Sequence, residues 1–303
     1  MTSSLFTGLS AFPLTPFSGE RVDLPAFSRL VERLAAAGVD SIGALGSTGS
    51  YMYLSREERK QVASAAVAAA GDVPVFVGVG TLRTSWTLEA TEDAQAAGAQ
   101  AVLVAVPTYQ ALRDDEVLGL FEAVSAASSV PVIVYDNPGT THVTYSEDVY
   151  TAITALPQVA SVKIPPVTPA PEHPDPAAAE ARIDRLRTVC APGTAIGISG
   201  DAQGAAALTG GADLWYTAVG GTLPEPMLTI TRAAQAGERD RALALSAGLQ
   251  PLWDLCARYG GSARVSAAIA EELGLVGPDC LPAPLKPLPD EARTAIRDFL
   301  AGV

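Results

Sequence analysis

The sequence predicts a (β/α)8 barrel followed by a C-terminal helical extension. Short, mainly apolar segments alternate with alanine-rich helical segments along most of the chain, and eight such segments occur. Strands that are apolar on both faces are typical of parallel sheets covered by helices, and eight repeats favour closure into a barrel. An open, doubly wound sheet is the alternative fold.

The predicted strands follow helical stretches that end in glycine, such as AAAG at 35–38 and QAAG at 95–98. Glycine is favoured just beyond a helix end because it adopts the left-handed conformation without strain. The eight predicted strands are Gly8–Phe12, Ser41–Leu45, Val73–Val77, Ala101–Val106, Val130–Tyr135, Val159–Lys163, Thr194–Ser199 and Leu214–Val219.

Helix starts are marked by residues that can cap them. Ser55 and Glu58 have the spacing of a capping box, and Asp23 and Asp201 are candidate N-caps. We assign residues 1–224 to the barrel, and residues 225–303 to the last barrel helix and a helical extension with helices over 242–259, 263–273 and 290–300. The six prolines within residues 164–176 predict an irregular loop.

Composition narrows the range of possible partners. A net charge of -13 opposes binding to nucleic acid or to an anionic membrane, so a small-molecule substrate is favoured. The apolar runs are far shorter than the roughly 20 residues that span a membrane, and residues 1–10 lack the pattern of a signal peptide, so a cytoplasmic protein is expected. The scattered cysteines and two histidines predict no metal site.

Lys163 is the strongest functional signal in the sequence. Active sites of these barrels lie at the C-terminal ends of the strands, and Lys163 ends the sixth predicted strand. Only three of the 20 basic residues are lysines, so arginine is the usual cation of this chain. A neutral amine can attack a carbonyl to form an imine, whereas a guanidinium cannot. A structural lysine paired with a carboxylate is the alternative interpretation.

Other strand ends carry polar groups that would face the same opening. Tyr109 and Tyr135 follow or end the fourth and fifth strands, and Gly46-Ser47-Thr48-Gly49 follows the second. The glycine-rich turn could present backbone N–H groups and hydroxyls to a carboxylate, or could be an ordinary turn. No nucleotide-binding glycine motif and no nucleophile elbow is found, so no cofactor is expected.

Taken in order, these motifs resemble the dihydrodipicolinate synthase and N-acetylneuraminate lyase family of class I, pyruvate-dependent aldolases. The resemblance covers nearly the whole chain. It is carried by Gly8 through Thr15-Pro16, Gly46-Ser47-Thr48-Gly49, Pro107-Thr108-Tyr109, Tyr135-Asp136-Asn137-Pro138, Val162-Lys163, Ser199-Gly200-Asp201 and Glu272-Leu-Gly-Leu275.

The resemblance implies a role for each matching residue. Lys163 would condense with pyruvate or a similar 2-oxo acid, Tyr135 would shuttle protons, and Gly46, Ser47 and Thr48 would hold the carboxylate, with Gly200 also at the site. Tyr109 would complete a proton relay across a subunit interface. The family's usual assembly is a tetramer of dimers, so a homo-oligomer is expected, either tetramer or dimer.

Departures from the family pattern leave the second substrate open. Ser50 and Asp136 replace a usual glutamate and asparagine, and Thr140 stands where synthases carry an arginine that holds the carboxylate of aspartate semialdehyde. A poor dihydrodipicolinate synthase is therefore expected, unless Arg113 or His142 compensates. A sugar-acid dehydratase or hydratase-aldolase that uses the same lysine, and a catalytically silent barrel that binds a 2-oxo acid, are the alternative functions.

Overall fold

A computed structural model describes residues 5–167 and 173–302. Eight parallel strands form a closed barrel, which confirms the predicted fold class over the open sheet. Each strand pairs with its neighbours in the chain, and the first also pairs with the last. The strands are β1 Gly8–Ala11, β2 Ser41–Ala44, β3 Val75–Gly78, β4 Ala101–Ala105, β5 Val132–Tyr135, β6 Val159–Ile164, β7 Ala195–Ile198 and β8 Leu214–Thr217.

A helix follows each strand and packs outside the barrel. Asp23 caps the first helix through the backbone N–H of Ala26, and Ser55 with Glu58 forms the predicted capping box of the second. The helices are α1 Leu24–Ala37, α2 Arg56–Ala69, α3 Thr84–Ala96, α4 Asp114–Ala127, α5 Glu147–Thr154, α6 Pro176–Val189, α7 Gly204–Thr209 and α8 Pro224–Gln235. A short hairpin, Phe17–Ser18 with Arg21–Val22, precedes α1.

Four further helices make up the C-terminal extension. They are α9 Arg239–Ala247, α10 Gln250–Arg258, α11 Ser262–Glu272 and α12 Asp290–Ala301. The single helix predicted over 242–259 is wrong, because the chain breaks at Gly248 and restarts with Pro251 in the first turn of α10. Proline has no backbone N–H and clashes with the preceding helical turn, so it suits a helix start and interrupts a helix interior.

Directly after β6 the chain enters the predicted proline-rich loop. Part of the proline-rich loop, residues 168–172, lies outside the described residues, while Pro165, Pro166 and Val167 have no regular structure. None of the helices in the described ranges is long and apolar enough to pass through a membrane.

Candidate active site

Lys163 and Tyr135 lie side by side inside the barrel near its C-terminal opening. Strands β5 and β6 are in register with Tyr135 opposite Lys163, and β7 places Gly197 on the other side of the lysine. Residues in register on neighbouring strands point to the same face of a sheet. The Lys163 Nζ lies 4.3 Å from the centroid of the Tyr135 ring, and both side chains are buried.

Burial changes the acidity of the Lys163 amine. It lowers the pKa of Lys163 to about 7, and the negative charge of Asp201 partly opposes this shift. Asp201 is held in place because its carboxylate accepts hydrogen bonds from the Thr217 hydroxyl at 2.6 Å and from the Ala218 N–H at 2.9 Å. A substantial fraction of the amine is therefore neutral and nucleophilic near neutral pH.

Asp201 was also predicted to cap a helix, and this prediction is wrong. Its side chain reaches across to the end of β8 and to Ser262 at the start of α11. The carboxylate thus ties the barrel opening to the C-terminal extension. Local sequence predicted a cap because aspartate before a helical segment usually serves that role.

The Tyr135 hydroxyl is part of a short hydrogen-bonded chain. It accepts a hydrogen bond from the Asn137 Nδ2 at 2.7 Å and lies 3.3 Å from the Ser47 Oγ. Burial raises the pKa of Tyr135, against the opposing effect of these two hydrogen bonds, so the phenol remains protonated. Because the amide of Asn137 donates, the Tyr135 proton is available to Ser47 or to a bound molecule.

The structure brings the glycine-rich turn to the same place. Gly46, Ser47 and Thr48 follow β2, Ser47 reaches Tyr135, and Thr48 is buried. The residues on either side of Gly46-Ser47-Thr48-Gly49, Leu45 and Ser50, both adopt positive φ angles, of 58° and 53°. Positive φ in residues other than glycine is uncommon and marks a tightly constrained turn.

Three predicted site residues take no part in the contacts that join Lys163, Tyr135 and Ser47. They are Gly200, Thr140 and Tyr109. Gly200 has a φ of 86°, and a Cβ on it would lie 2.5 Å from the Pro166 Cγ, so it allows the loop after Lys163 to pack closely. The Thr140 hydroxyl is exposed and donates to the Asn137 carbonyl at 3.4 Å. Tyr109 is 89% exposed and, among the described residues, makes no hydrogen bond or ring contact. One chain alone does not join Tyr109 to Tyr135.

Two further aromatic residues, Phe12 and Tyr216, contact the amine and are not predicted from the sequence. The centroids of their rings lie 3.9 Å and 5.6 Å from the Lys163 Nζ. Phe12 directly follows β1 and Tyr216 lies within β8. Phe12 was placed at a predicted strand end, which is the signal that could have identified it; Tyr216 is hidden among the apolar residues of a fully buried strand.

Two cavities flank the barrel opening. One, of about 300 Å³, lies between the loop after β7 and the helices α10 and α11, and its lining includes Pro166, Gly200, Asp201, Trp253 and Cys256. The other, of about 410 Å³, lies between α2 and α3, and none of the predicted site residues lines it.

The described residues contain no group of three or more His, Cys, Asp or Glu side chains that could hold a metal ion.

Known proteins with similar sequences include 4-hydroxy-tetrahydrodipicolinate synthases. The chain is 30% identical to the 4-hydroxy-tetrahydrodipicolinate synthase of Parasynechococcus marenigrum over 293 residues, which is 96% of this chain and 93% of that protein. It is 37% identical to the enzyme of the same name from Hyphomonas neptunium over 160 residues, 52% of this chain. That match spans only about half, 55%, of the length of the Hyphomonas protein.

Solved structures lead to the same family. The dihydrodipicolinate synthase from Agrobacterium tumefaciens superposes with a TM-score of 0.93 at 40% identity over 99% of both chains. The chloride-inhibited dihydrodipicolinate synthase from Acinetobacter baumannii, solved with pyruvate, superposes with a TM-score of 0.86 at 26% identity over 98% of both chains. The profile of the dihydrodipicolinate synthetase family matches residues 5–302. This chain belongs to the dihydrodipicolinate synthetase family.

Proposed function

We propose that this protein is a class I lyase that forms a Schiff base between Lys163 and pyruvate, or a similar 2-oxo acid, and makes or breaks a carbon–carbon bond to an aldehyde. The observation that carries this proposal is a buried lysine amine, with a pKa lowered to about 7, in contact with a buried tyrosine. Membership of the family and the pyruvate complex of the Acinetobacter relative support it.

The reaction follows from these residue types. The neutral Lys163 amine attacks the ketone carbon, and loss of water leaves an iminium. The cationic nitrogen withdraws electrons, so a C3 proton leaves and the resulting enamine attacks the aldehyde carbon. Tyr135 donates a proton to the departing hydroxyl, its phenolate then takes up the C3 proton, and the re-formed phenol protonates the new alkoxide; the water that hydrolyses the iminium returns the last proton to Tyr135. Water then hydrolyses the iminium and frees Lys163. Ser47 and Thr48 hold the carboxylate, and the iminium serves as the electron sink without a metal.

Borohydride trapping tests the Schiff base. Reduction in the presence of pyruvate should inactivate the protein and add the mass of the reduced pyruvate imine to the peptide that contains Lys163. Lys60 and Lys286 are internal controls, since a nonspecific reaction would label them too. An adduct on either of them, or none with any 2-oxo acid, would contradict the proposal.

The same labelling has an expected pH dependence. The initial labelling rate should rise tenfold per pH unit below the pKa of Lys163 and level off above about 7, because only the neutral amine attacks. Rates are measured by mass spectrometry after short exposures across the pH range. A rise that continues to the ordinary lysine range would show that the amine is not in the buried environment described here.

The second substrate should be an uncharged aldehyde. None of the described residues that line the 300 Å³ cavity at the opening is positively charged, and Asp201 adds a negative charge to it. Thr140 offers one neutral hydrogen bond where a charged, two-pronged contact would suit a carboxylate. Neither this cavity nor Thr140, which is not part of its lining, supplies a positive charge to an aldehyde with a terminal carboxylate.

Matched aldehydes measure this preference. With pyruvate, kcat/KM for butanal should exceed that for succinic semialdehyde by about tenfold or more, and aspartate semialdehyde should be a poor substrate. Thr140→Arg should raise kcat/KM for the semialdehydes by roughly 30- to 150-fold and leave butanal nearly unchanged. A large preference of the unaltered protein for aspartate semialdehyde would show that Thr140 has been misinterpreted.

We also propose a homo-oligomer in which Tyr109 of one subunit reaches the Tyr135 of another. Large exposed apolar side chains concentrate on the segments that follow β2, β3 and β4, which are neighbours in the barrel. A patch of this kind is typical of a protein interface. Six of the seven such side chains among the described residues lie there, namely Met52, Tyr53, Leu82, Trp86, Tyr109 and Leu112.

Sedimentation tests the assembly. The protein should sediment as a dimer or tetramer of the 31.1 kDa chain. Trp86→Glu should dissociate it, because the change buries a charge in the apolar interface. Turnover should fall when the assembly dissociates, since Tyr109 would then be withdrawn from the neighbouring site.

Leu273→Glu, on an exposed side chain away from this patch, is the matched control. A fully active monomer would exclude the relay through Tyr109.

A further inference from the structure

Three aromatic rings enclose the amine of Lys163. The Nζ lies 3.9 Å from the ring centroid of Phe12, 4.3 Å from that of Tyr135 and 5.6 Å from that of Tyr216. Tyr135 has a role in the proposed proton transfer, but the other two rings have none. Phe12 and Tyr216 are also almost completely buried. A cation near an aromatic face is attracted by the ring quadrupole, and this attraction is strongest where water is excluded.

Glycines make the space that these two rings occupy. A Cβ on Gly43 would lie 2.3 Å from the Phe12 Cζ, and one on Gly46 would lie 2.6 Å from the Phe12 Cδ1. A Cβ on Gly197 would lie 2.4 Å from the Tyr216 Cε2. Any side chain at these positions would displace a ring. The absence of side chains at these glycines on β2, on β7 and in the glycine-rich turn thus lets Phe12 and Tyr216 pack against the amine.

Ring contacts and a hydrogen bond fix the orientation of Tyr216. Its ring meets Phe12 edge to face, with centroids 5.9 Å apart and an interplanar angle of 79°. Its hydroxyl lies 2.7 Å from the Oγ of Ser161, which is two residues before Lys163 on β6. Because the hydroxyl is engaged by Ser161, the ring rather than the hydroxyl is the part of Tyr216 that acts on the amine.

We infer that Phe12 and Tyr216 are part of the catalytic machinery and stabilise the positive charge of the protonated Schiff base at Lys163 through their ring faces. This inference rests on the proposed function, because the iminium nitrogen is the Nζ atom that the rings enclose. The enclosing groups that can titrate are Tyr135 and Tyr216, and the nearby carboxylate is Asp201. Neither phenol is ionised near neutral pH, since burial raises the pKa of both.

A ring face that stabilises the iminium also stabilises the ammonium form of the free amine. Replacing the ring of Phe12 or Tyr216 by an aliphatic side chain should therefore have two linked effects. The pyruvate adduct should weaken by about 2- to 30-fold, and the pH midpoint for labelling should fall by the logarithm of the same factor. A ring that only fills space would weaken the adduct without moving the midpoint. Water entering the enclosure would raise the midpoint, because solvation favours the ammonium.

The experiment measures pyruvate half-saturation and the pH midpoint of borohydride labelling on the intact protein. Phe12→Leu and Tyr216→Leu should show both linked shifts, and Tyr216→Phe, which keeps the ring, should recover most of the loss. Site-specific replacement of Phe12 by mono- and trifluorinated phenylalanine should give graded shifts, because fluorine weakens the quadrupole while the shape is kept. Phe27→Leu, which removes an equally buried ring on α1, should move neither quantity.

The outcomes separate this inference from the proposed function. Failure to label Lys163 in the unaltered protein would overturn both. Normal labelling with no graded response to fluorination, or a midpoint that stays fixed or rises in the leucine variants, would overturn only the role of the rings. Linked shifts of matching size in the fluorinated series, with recovery in Tyr216→Phe, would establish it.

Discussion

Lys163→Arg should abolish turnover, with a loss of at least about 10⁴-fold, the scale expected when a covalent nucleophile is removed. A guanidinium stays protonated and cannot form the imine, although its charge matches that of the ammonium. The assay is carbon–carbon bond formation or cleavage with pyruvate, combined with borohydride labelling, which should find no adduct. Normal turnover in this variant would make the Schiff base untenable.

Two control variants distinguish loss of the nucleophile from loss of the folded structure. Arginine is larger than lysine, and the amine is packed among rings, so Lys163→Met provides a neutral side chain of similar length without a nucleophile. It should be equally inactive yet unfold at the same or a higher temperature, because a buried group whose charged form is disfavoured no longer has to be accommodated. Lys286→Arg, at an exposed lysine, should keep full activity.

Tyr135→Phe should slow turnover by about 100-fold or more, the scale of a lost general acid or base. The ring that contacts the Lys163 amine remains, whereas the hydroxyl that joins Ser47 and Asn137 is removed. Adduct formation should suffer less than complete turnover, because water can replace one proton donor during imine formation.

Single-turnover labelling and steady-state turnover, measured on the same preparation, separate these two steps. Tyr145→Phe is the matched control, since this tyrosine is also buried but packs against Phe121 and Tyr150 outside the proposed site. It should keep near-normal turnover. Unchanged turnover in Tyr135→Phe would assign that tyrosine a structural role only.

Some sequence-based predictions failed where a distant contact decides the outcome. Asp201 has the local sequence of a helix cap, yet its carboxylate is used by Thr217 and Ser262, which are far along the chain. The helix predicted over 242–259 overlooked the break that Pro251 imposes. By contrast, the capping box of Ser55 and Glu58 was correct because both partners lie within one helical turn.

The sequence alone predicted the barrel, which the structure confirms, and it proposed candidate site residues at the strand ends. Apolar strands, glycines at helix ends and polar residues at strand ends are local patterns, and they placed Lys163, Tyr135 and the turn with Ser47 at one end of the barrel, while the family resemblance supplied their predicted roles. Only the tertiary structure decided which buried rings face the amine. Every side chain of a strand covered on both faces looks alike in sequence, and the inward set depends on strand register and barrel closure. Phe12 ends a predicted strand, but its contact with the amine, like that of Tyr216, follows only from bringing β1, β6 and β8 around one axis.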